Sequence, residues 1–153
     1  MRVAIGSDHA GFPLKEAVKA ELLRLGHDVT DIGTDSAEVS VDYPDFSIPV
    51  GERVASGQAD QGVVVCATGI GVSIAANKVE GVRASVVTSD ETARLTRADN
   101  DSNVIALGAK TAPSVETVLG WLRIWLETPF AAGRHERRIA KIKDYETKHT
   151  RTH

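Results

Sequence analysis

Short apolar runs alternating with helical patterns predict an α/β fold, a three-layer sandwich with a five-stranded parallel sheet between helices. Two observations carry that prediction. Several runs are apolar throughout, as strands covered on both faces must be, and the segments between them repeat apolar residues every three or four positions. Size agrees: 153 residues suit one domain with a packed core. With 42% hydrophobic and 25% charged residues, the composition is that of a folded chain.

Arg2-Val3-Ala4-Ile5-Gly6 is the first strand. Pro13 opens a helix with Leu14, Val18, Leu22 and Leu25 at helical spacing, and Gly26 stands where a C-terminal cap belongs. Residues 27–33 alternate as a second strand. Turn formers fill 34–44 up to Asp42-Tyr43-Pro44, and the helix that follows requires Pro49 in its first turn and stops near Gly57. Val63-Val64-Val65-Cys66 reads as a buried strand, joined by Ala67-Thr68-Gly69-Ile70-Gly71 to a helix over 72–77. Val82 to Val87 and Val104 to Leu107 are the remaining strands, with a polar helix from Asp90 to Ala98 between them. The longest helix runs from Thr111 to Thr128, its apolar face formed by Val115, Val118, Leu119, Leu122 and Trp125. A basic helix at about 134–147 ends the chain. Five strands in this order make a Rossmann-like or flavodoxin-like sheet within one domain spanning 1–153.

Charge and cysteine usage narrow the function. Net charge is -3, but residues 134–153 hold seven Lys/Arg against three Asp/Glu, so a basic tail follows an acidic body. That tail is too modest for a nucleic-acid arm, and a solvated helix face or a phosphate clamp fits it better. Apolar runs stay well short of the ~20 residues of a membrane span. Met1-Arg2 leads directly into a strand, so a cytoplasmic protein is expected. The single cysteine, Cys66, excludes an intrachain disulfide and has a role in packing or in reactivity. The histidines show no ligand spacing, so neither a metal nor another cofactor is expected.

In a parallel sheet, ligands gather beyond the carboxyl ends of the strands. The strongest signal there is Thr68-Gly69-Ile70-Gly71 ahead of a helix, a turn whose N–H groups and helix dipole suit an anion. A dinucleotide fingerprint is a weaker reading, since Ile74 occupies the position of its third glycine, although Asp90 lies at the distance of a ribose contact. A purely structural turn is the third. Cys66 precedes the turn, where a helix N-terminus favours the thiolate, and a small buried hydrophobe is the alternative. Two chemistries suit such a thiolate: acyl transfer with His9 as its imidazole, or proton abstraction beside a carbonyl with the enolate held by the turn. Asp8-His9 follows the first strand and faces the same crevice. His27, His135, His149 and His153 read as solvated. Arg134 and Arg138, four apart, present a guanidinium fork for a phosphate, with Lys110 adding a point charge. Trp121 and Trp125 belong to the core or a subunit interface.

Taken together, Gly6-Ser7-Asp8-His9-Ala10-Gly11, Asp42-Tyr43-Pro44, Cys66 through Lys78, Asn100-Asp101-Ser102-Asn103 and Gly133-Arg134-His135-Glu136-Arg137-Arg138 resemble the ribose-5-phosphate isomerase B and galactose-6-phosphate isomerase family nearly end to end. The resemblance implies a cytoplasmic, metal-free aldose-ketose isomerase of the pentose phosphate pathway. It would act through a cis-enediolate, with sites built between two subunits of a homodimer that can pair into a homotetramer. On this resemblance Cys66 is the base, and Thr68, Gly69, Ile70 and Gly71 surround the enediolate oxygens. Asp8 and His9 hold the sugar, Tyr43 and Asn100 line the pocket, and Arg134 with Arg138 clamp the phosphate.

Three residues depart from the family pattern. Ala67 replaces a glycine and Lys110 an arginine, the latter keeping charge but losing the bidentate fork. Asp99 replaces the histidine assigned to opening the furanose ring. Ring opening needs a group that exchanges protons near neutrality, and an ordinary aspartate is already ionised there. Asp99 would then serve as base with His9 supplying the proton, or the substrate needs no opening. Erythrose 4-phosphate and erythrulose 4-phosphate, which cannot close a five-membered ring, fit the second case. Ribose 5-phosphate stands first by family, the tetrose phosphates second, and a non-catalytic module binding sugar phosphate or nucleotide is a further alternative.

Overall fold

The structure, a computed structural model, describes residues 1–149; His153, read above as solvated, lies outside them. Five strands form one parallel sheet: β1 (Arg2–Ser7), β2 (Asp28–Gly33), β3 (Gln61–Cys66), β4 (Ala84–Val86) and β5 (Val104–Gly108), in the order β2-β1-β3-β5-β4. Six helices accompany them: α1 (Phe12–Arg24), α2 (Pro44–Ala55), α3 (Ile70–Ala76), α4 (Asp90–Ala98), α5 (Val115–Glu127) and α6 (Arg134–His149).

Strand alternation divides the core into two layers. Val3, Ile5, Val63, Val65, Ile105 and Leu107 point to one face, against Leu14, Val18 and Leu22 of α1, Ala93 of α4, and Val118, Leu122 and Trp125 of α5. Ala4, Val64, Val104, Ala106 and Cys66 point to the other, against Val50 and Val54 of α2 and Val72 and Ala76 of α3. Central strands β3 and β5 are buried at every position, which is why their runs carry no polar alternation. Edge strand β2 is half exposed. Of α6, only Ile139 is buried.

Four expectations need correction. Pro49 lies inside α2, because Pro44 already takes the first position, where a missing N–H is tolerated. α5 begins at Val115 rather than Thr111: Pro113 disfavours helical backbone before it, and Ser114 caps the helix by accepting the Thr117 N–H at 3.1 Å. β4 keeps only residues 84–86 in the ladder, although Val82 and Val87 are buried beside it. Leu25 ends α1 on the surface, 38% exposed. Both tryptophans lie in the core, with Trp125 Nε1 donating to Ser102 Oγ at 2.9 Å.

Because every pairing is parallel, the strand ends form two separate edges. Ser7 pairs with Val65 and Cys66 with Gly108, which sets the carboxyl ends of β1, β3 and β5 side by side. At the opposite edge the Asn103 carbonyl accepts the Gly62 N–H, and the Asn103 N–H reaches the Arg83 carbonyl. Among the described residues no helix is long and apolar enough to cross a membrane.

Candidate active site

At the carboxyl edge, Gly69 adopts φ +78°, a left-handed turn that folds its N–H back onto Cys66 Sγ at 3.2 Å. A thiolate accepts such a bond more strongly than a thiol does. Cys66 is 5% exposed and touches the α2–α3 core layer, so it both packs and engages the turn. The Ala109 and Lys110 N–H groups bond to the Cys66 and Ala67 carbonyls, pinning the start of the turn. Thr68 Oγ1 accepts the Ile70 N–H at 3.2 Å. Gly71 and Val72, in the first turn of α3, have N–H groups with no helical carbonyl to reach. Those donors suit a developing oxyanion.

The other carboxyl-edge candidates surround this turn. Asp8 is buried and accepts the Gly11 N–H at 2.9 Å, while its own N–H reaches the Val65 carbonyl, next to Cys66. His9 Nδ1 accepts the Val41 N–H at 3.1 Å, which leaves the proton of the neutral ring on Nε2 as a donor. The Tyr43 ring lies across Gly71 so closely that a β-carbon there would stand 2.7 Å from Cζ. Lys110 is exposed and lines a groove with Ala10.

The remaining candidates occupy the opposite edge. Asp99 caps the end of α4, and the exposed Asn100 follows it, its carbonyl held by Arg83 Nε at 3.0 Å. The Ala131 N–H bonds to the Ala98 carbonyl, bringing the start of α6 to the same place. Arg134 and Arg138 are both exposed in the first turns of α6. β3 alone, six residues long, separates the two edges by about 16 Å at ~3.3 Å per residue. Within one chain, therefore, Cys66 and the arginine pair do not share a pocket.

Two histidine expectations change here. His135 is not solvated: its side chain is 13% exposed, with Nε2 3.4 Å from Asp99 Oδ1. Nor does His9 stand beside Asp99 in one chain, since it belongs to the far edge. Sequence reasoning could not see the His135–Asp99 pair, because 36 positions separate its members and the chain carries no local sign of the contact. Arg83, which holds the Asn100 loop, was passed over for the same reason. Among the described residues no group of three or more His, Cys, Asp or Glu side chains is arranged to hold a metal ion.

A family model described as Ribose/Galactose Isomerase matches residues 3–142. The chain belongs to the ribose/galactose isomerase family. By that membership it is an aldose-ketose isomerase acting on sugar phosphates. Ribose-5-phosphate isomerase B of Escherichia coli (strain K12) is a relative 40% identical over 141 residues, covering 92% of this chain and 93% of the other. Among solved structures, ribose-5-phosphate isomerase B of Clostridium thermocellum superimposes with a TM-score of 0.95 at 45% identity, covering 98% of this chain and all of that one. The Mycoplasma genitalium ribose-5-phosphate isomerase B with bound ribulose-5-phosphate gives 0.92 at 37%, covering 97% of each chain.

Proposed function

We propose that this family member interconverts ribose 5-phosphate and ribulose 5-phosphate without a metal, through a cis-enediolate, with Cys66 as the base. The whole chain acts as one domain, in the cytoplasm, and each site joins two copies. One observation carries the reading: the Cys66 sulfur receives the Gly69 N–H, at the start of a turn whose free N–H groups suit an enediolate oxygen. The thiolate takes a proton from C2 of the aldose and electrons move onto O1; the O2 hydroxyl proton then passes to O1, and the C2=O2 carbonyl forms as the first proton is delivered to C1. Thr68 through Gly71 stabilise the oxyanion. Asp8 and His9 Nε2–H orient the hydroxyl groups, and Tyr43 closes the pocket.

The separation of the edges supports the shared site. At roughly 1.5 Å per bond, a pentose 5-phosphate reaches less than ~10 Å from C1 to phosphorus, too short to span from Cys66 to Arg134 and Arg138 of the same chain. A homodimer that sets the arginine edge of one copy over the sulfur edge of the other supplies both ends, and Lys110 adds charge from the sulfur side. Two such dimers could form a tetramer without altering the site.

Asp99 supports a second reading, in which the substrate is an acyclic tetrose phosphate. Comparing kcat/KM for ribose 5-phosphate and erythrulose 4-phosphate decides between them. Turnover of the pentose at least tenfold better is expected, and the reverse order would establish the tetrose. Cys66→Ala should abolish isomerisation while sugar phosphate still binds. A variant as fast as the parent would show that Cys66 is not the base.

A further inference from the structure

Resting on the pentose-phosphate reading, we propose that His135, held by Asp99, is the group that opens the furanose ring. A pentose 5-phosphate closes on itself through O4, and no proton can leave C2 toward the enediolate until the C1–O4 bond breaks. That step moves one proton. A base takes it from the anomeric O1–H, the O1 electrons form the C1=O1 bond, the C1–O4 pair leaves with O4, and O4 is protonated. O1 and O4 share one carbon, so a single imidazole nitrogen can take the first proton and return it to the second, with no other reactant.

The structure presents one imidazole suited to this at the arginine edge. His135 lies between the two arginines in sequence and follows Arg134 directly, while Asp99 precedes Asn100. Its Nε2 faces Asp99 Oδ1 at 3.4 Å, leaving Nδ1 without a protein partner among the described residues. With that carboxylate beside Nε2, the tautomer carrying its proton there is favoured and Nδ1 serves as the base. The contact is built from both sides. The Asp99 N–H bonds to the Leu95 carbonyl at 2.8 Å, and Arg97 ties the end of α4 to the Ser102 and Thr128 carbonyls. Facing it, Ala132 at φ +58° and Gly133 at φ +60° make a left-handed entry into α6. For Ala132 that backbone is disfavoured by its β-carbon, and it is sustained where it leads into Arg134 and His135. Asp99 is thus a positioning residue and His135 the catalytic one.

Ribulose 5-phosphate has no five-membered ring to open, which separates the ring step from the enediolate step. His135→Gln should lower kcat/KM for ribose 5-phosphate by about 10²-fold, while solvent deuterium still enters C1 of ribulose 5-phosphate within about twofold of the parent rate. Asp99→Asn should show the same split, and Asp99→Glu should recover part of the loss. Equal losses of both activities in His135→Gln and Asp99→Asn, or loss of neither, would overturn the proposal. A parent that neither turns over ribose 5-phosphate nor exchanges ribulose 5-phosphate would refute the pentose reading itself, and this inference with it.

Discussion

Replacing Gly108 with alanine tests whether the turn beside Cys66 must hold its position to within an ångström. A β-carbon at residue 108 would stand 2.6 Å from the Thr68 carbonyl carbon and 2.7 Å from its oxygen, against the 3.4 Å at which ordinary contact begins. Both atoms are backbone, so no rotamer relieves the clash, and the Thr68 peptide must retreat by about 0.8 Å. Gly69 follows directly, and its N–H is the donor on the Cys66 sulfur. Displacement near 1 Å costs on the order of 10²-fold in rate. Gly108→Ala is therefore expected to lose about 10- to 100-fold in kcat for ribose 5-phosphate isomerisation, and about 1–3 kcal/mol of stability from overpacking. Steady-state kinetics well below the melting point separate the two effects. A folded variant with kcat within twofold of the parent would refute the claim that turn geometry positions the chemistry.

Three other outcomes follow from the same structure. Gly120→Ala, in α5 with open space around the added methyl, should raise stability by about 0.5–1 kcal/mol through helix propensity, read from urea unfolding; a loss would mean that a partner copy covers that position. Trp125→Phe deletes the buried hydrogen bond to Ser102 and leaves a cavity, so about 2–3 kcal/mol should be lost, and KM for ribose 5-phosphate should rise as the neighbouring Asn100 loop loosens. An unchanged melting temperature would contradict the first part. Burial pushes the Asp31 carboxyl up, but hydrogen bonds from Lys15, Lys19 and the Gly33 N–H outweigh it and hold the group below the usual carboxylate value. A lowered folded value contributes stability above about pH 4 that is lost as pH falls through it. Asp31→Asn, which deprives the buried Lys15 of its 2.7 Å partner, should cost about 3 kcal/mol at pH 7. That gap should narrow below about pH 4; one constant with pH would contradict the assignment.

Local pattern made most of the fold readable. Val63 to Cys66 announced a strand covered on both faces, and the 3.6-residue spacing of α1 and α5 marked their core faces, except that Leu25 at the end of α1 and Val115 at the start of α5 are exposed. Boundaries moved where local chemistry outweighed the apolar pattern, as at Ser114, and where Pro44 displaced Pro49 from the first turn of α2. Site candidates were readable in the same way at the carboxyl edge, because Asp8, His9, Cys66 and the glycine turn each follow a strand. Strand direction places Asn100 and the arginine pair at the opposite edge, and no spacing along a single chain reveals the two-copy site proposed here. Contacts between distant segments were invisible for a related reason. Asp99 with His135, Arg83 with Asn100, and Val41 with His9 depend on three-dimensional packing rather than on period or composition.

Subunit complementation tests the shared site most directly. Cys66→Ala and the double variant Arg134→Ala/Arg138→Ala should each be inactive alone. Unfolded together and refolded at equal concentration, they should regain about a quarter of parental activity, because half of randomly paired dimers are mixed and each mixed dimer carries one intact site. Mixed dimers that form, as followed by mass, yet show no isomerase activity would contradict a sulfur from one copy working with the arginine pair of the other.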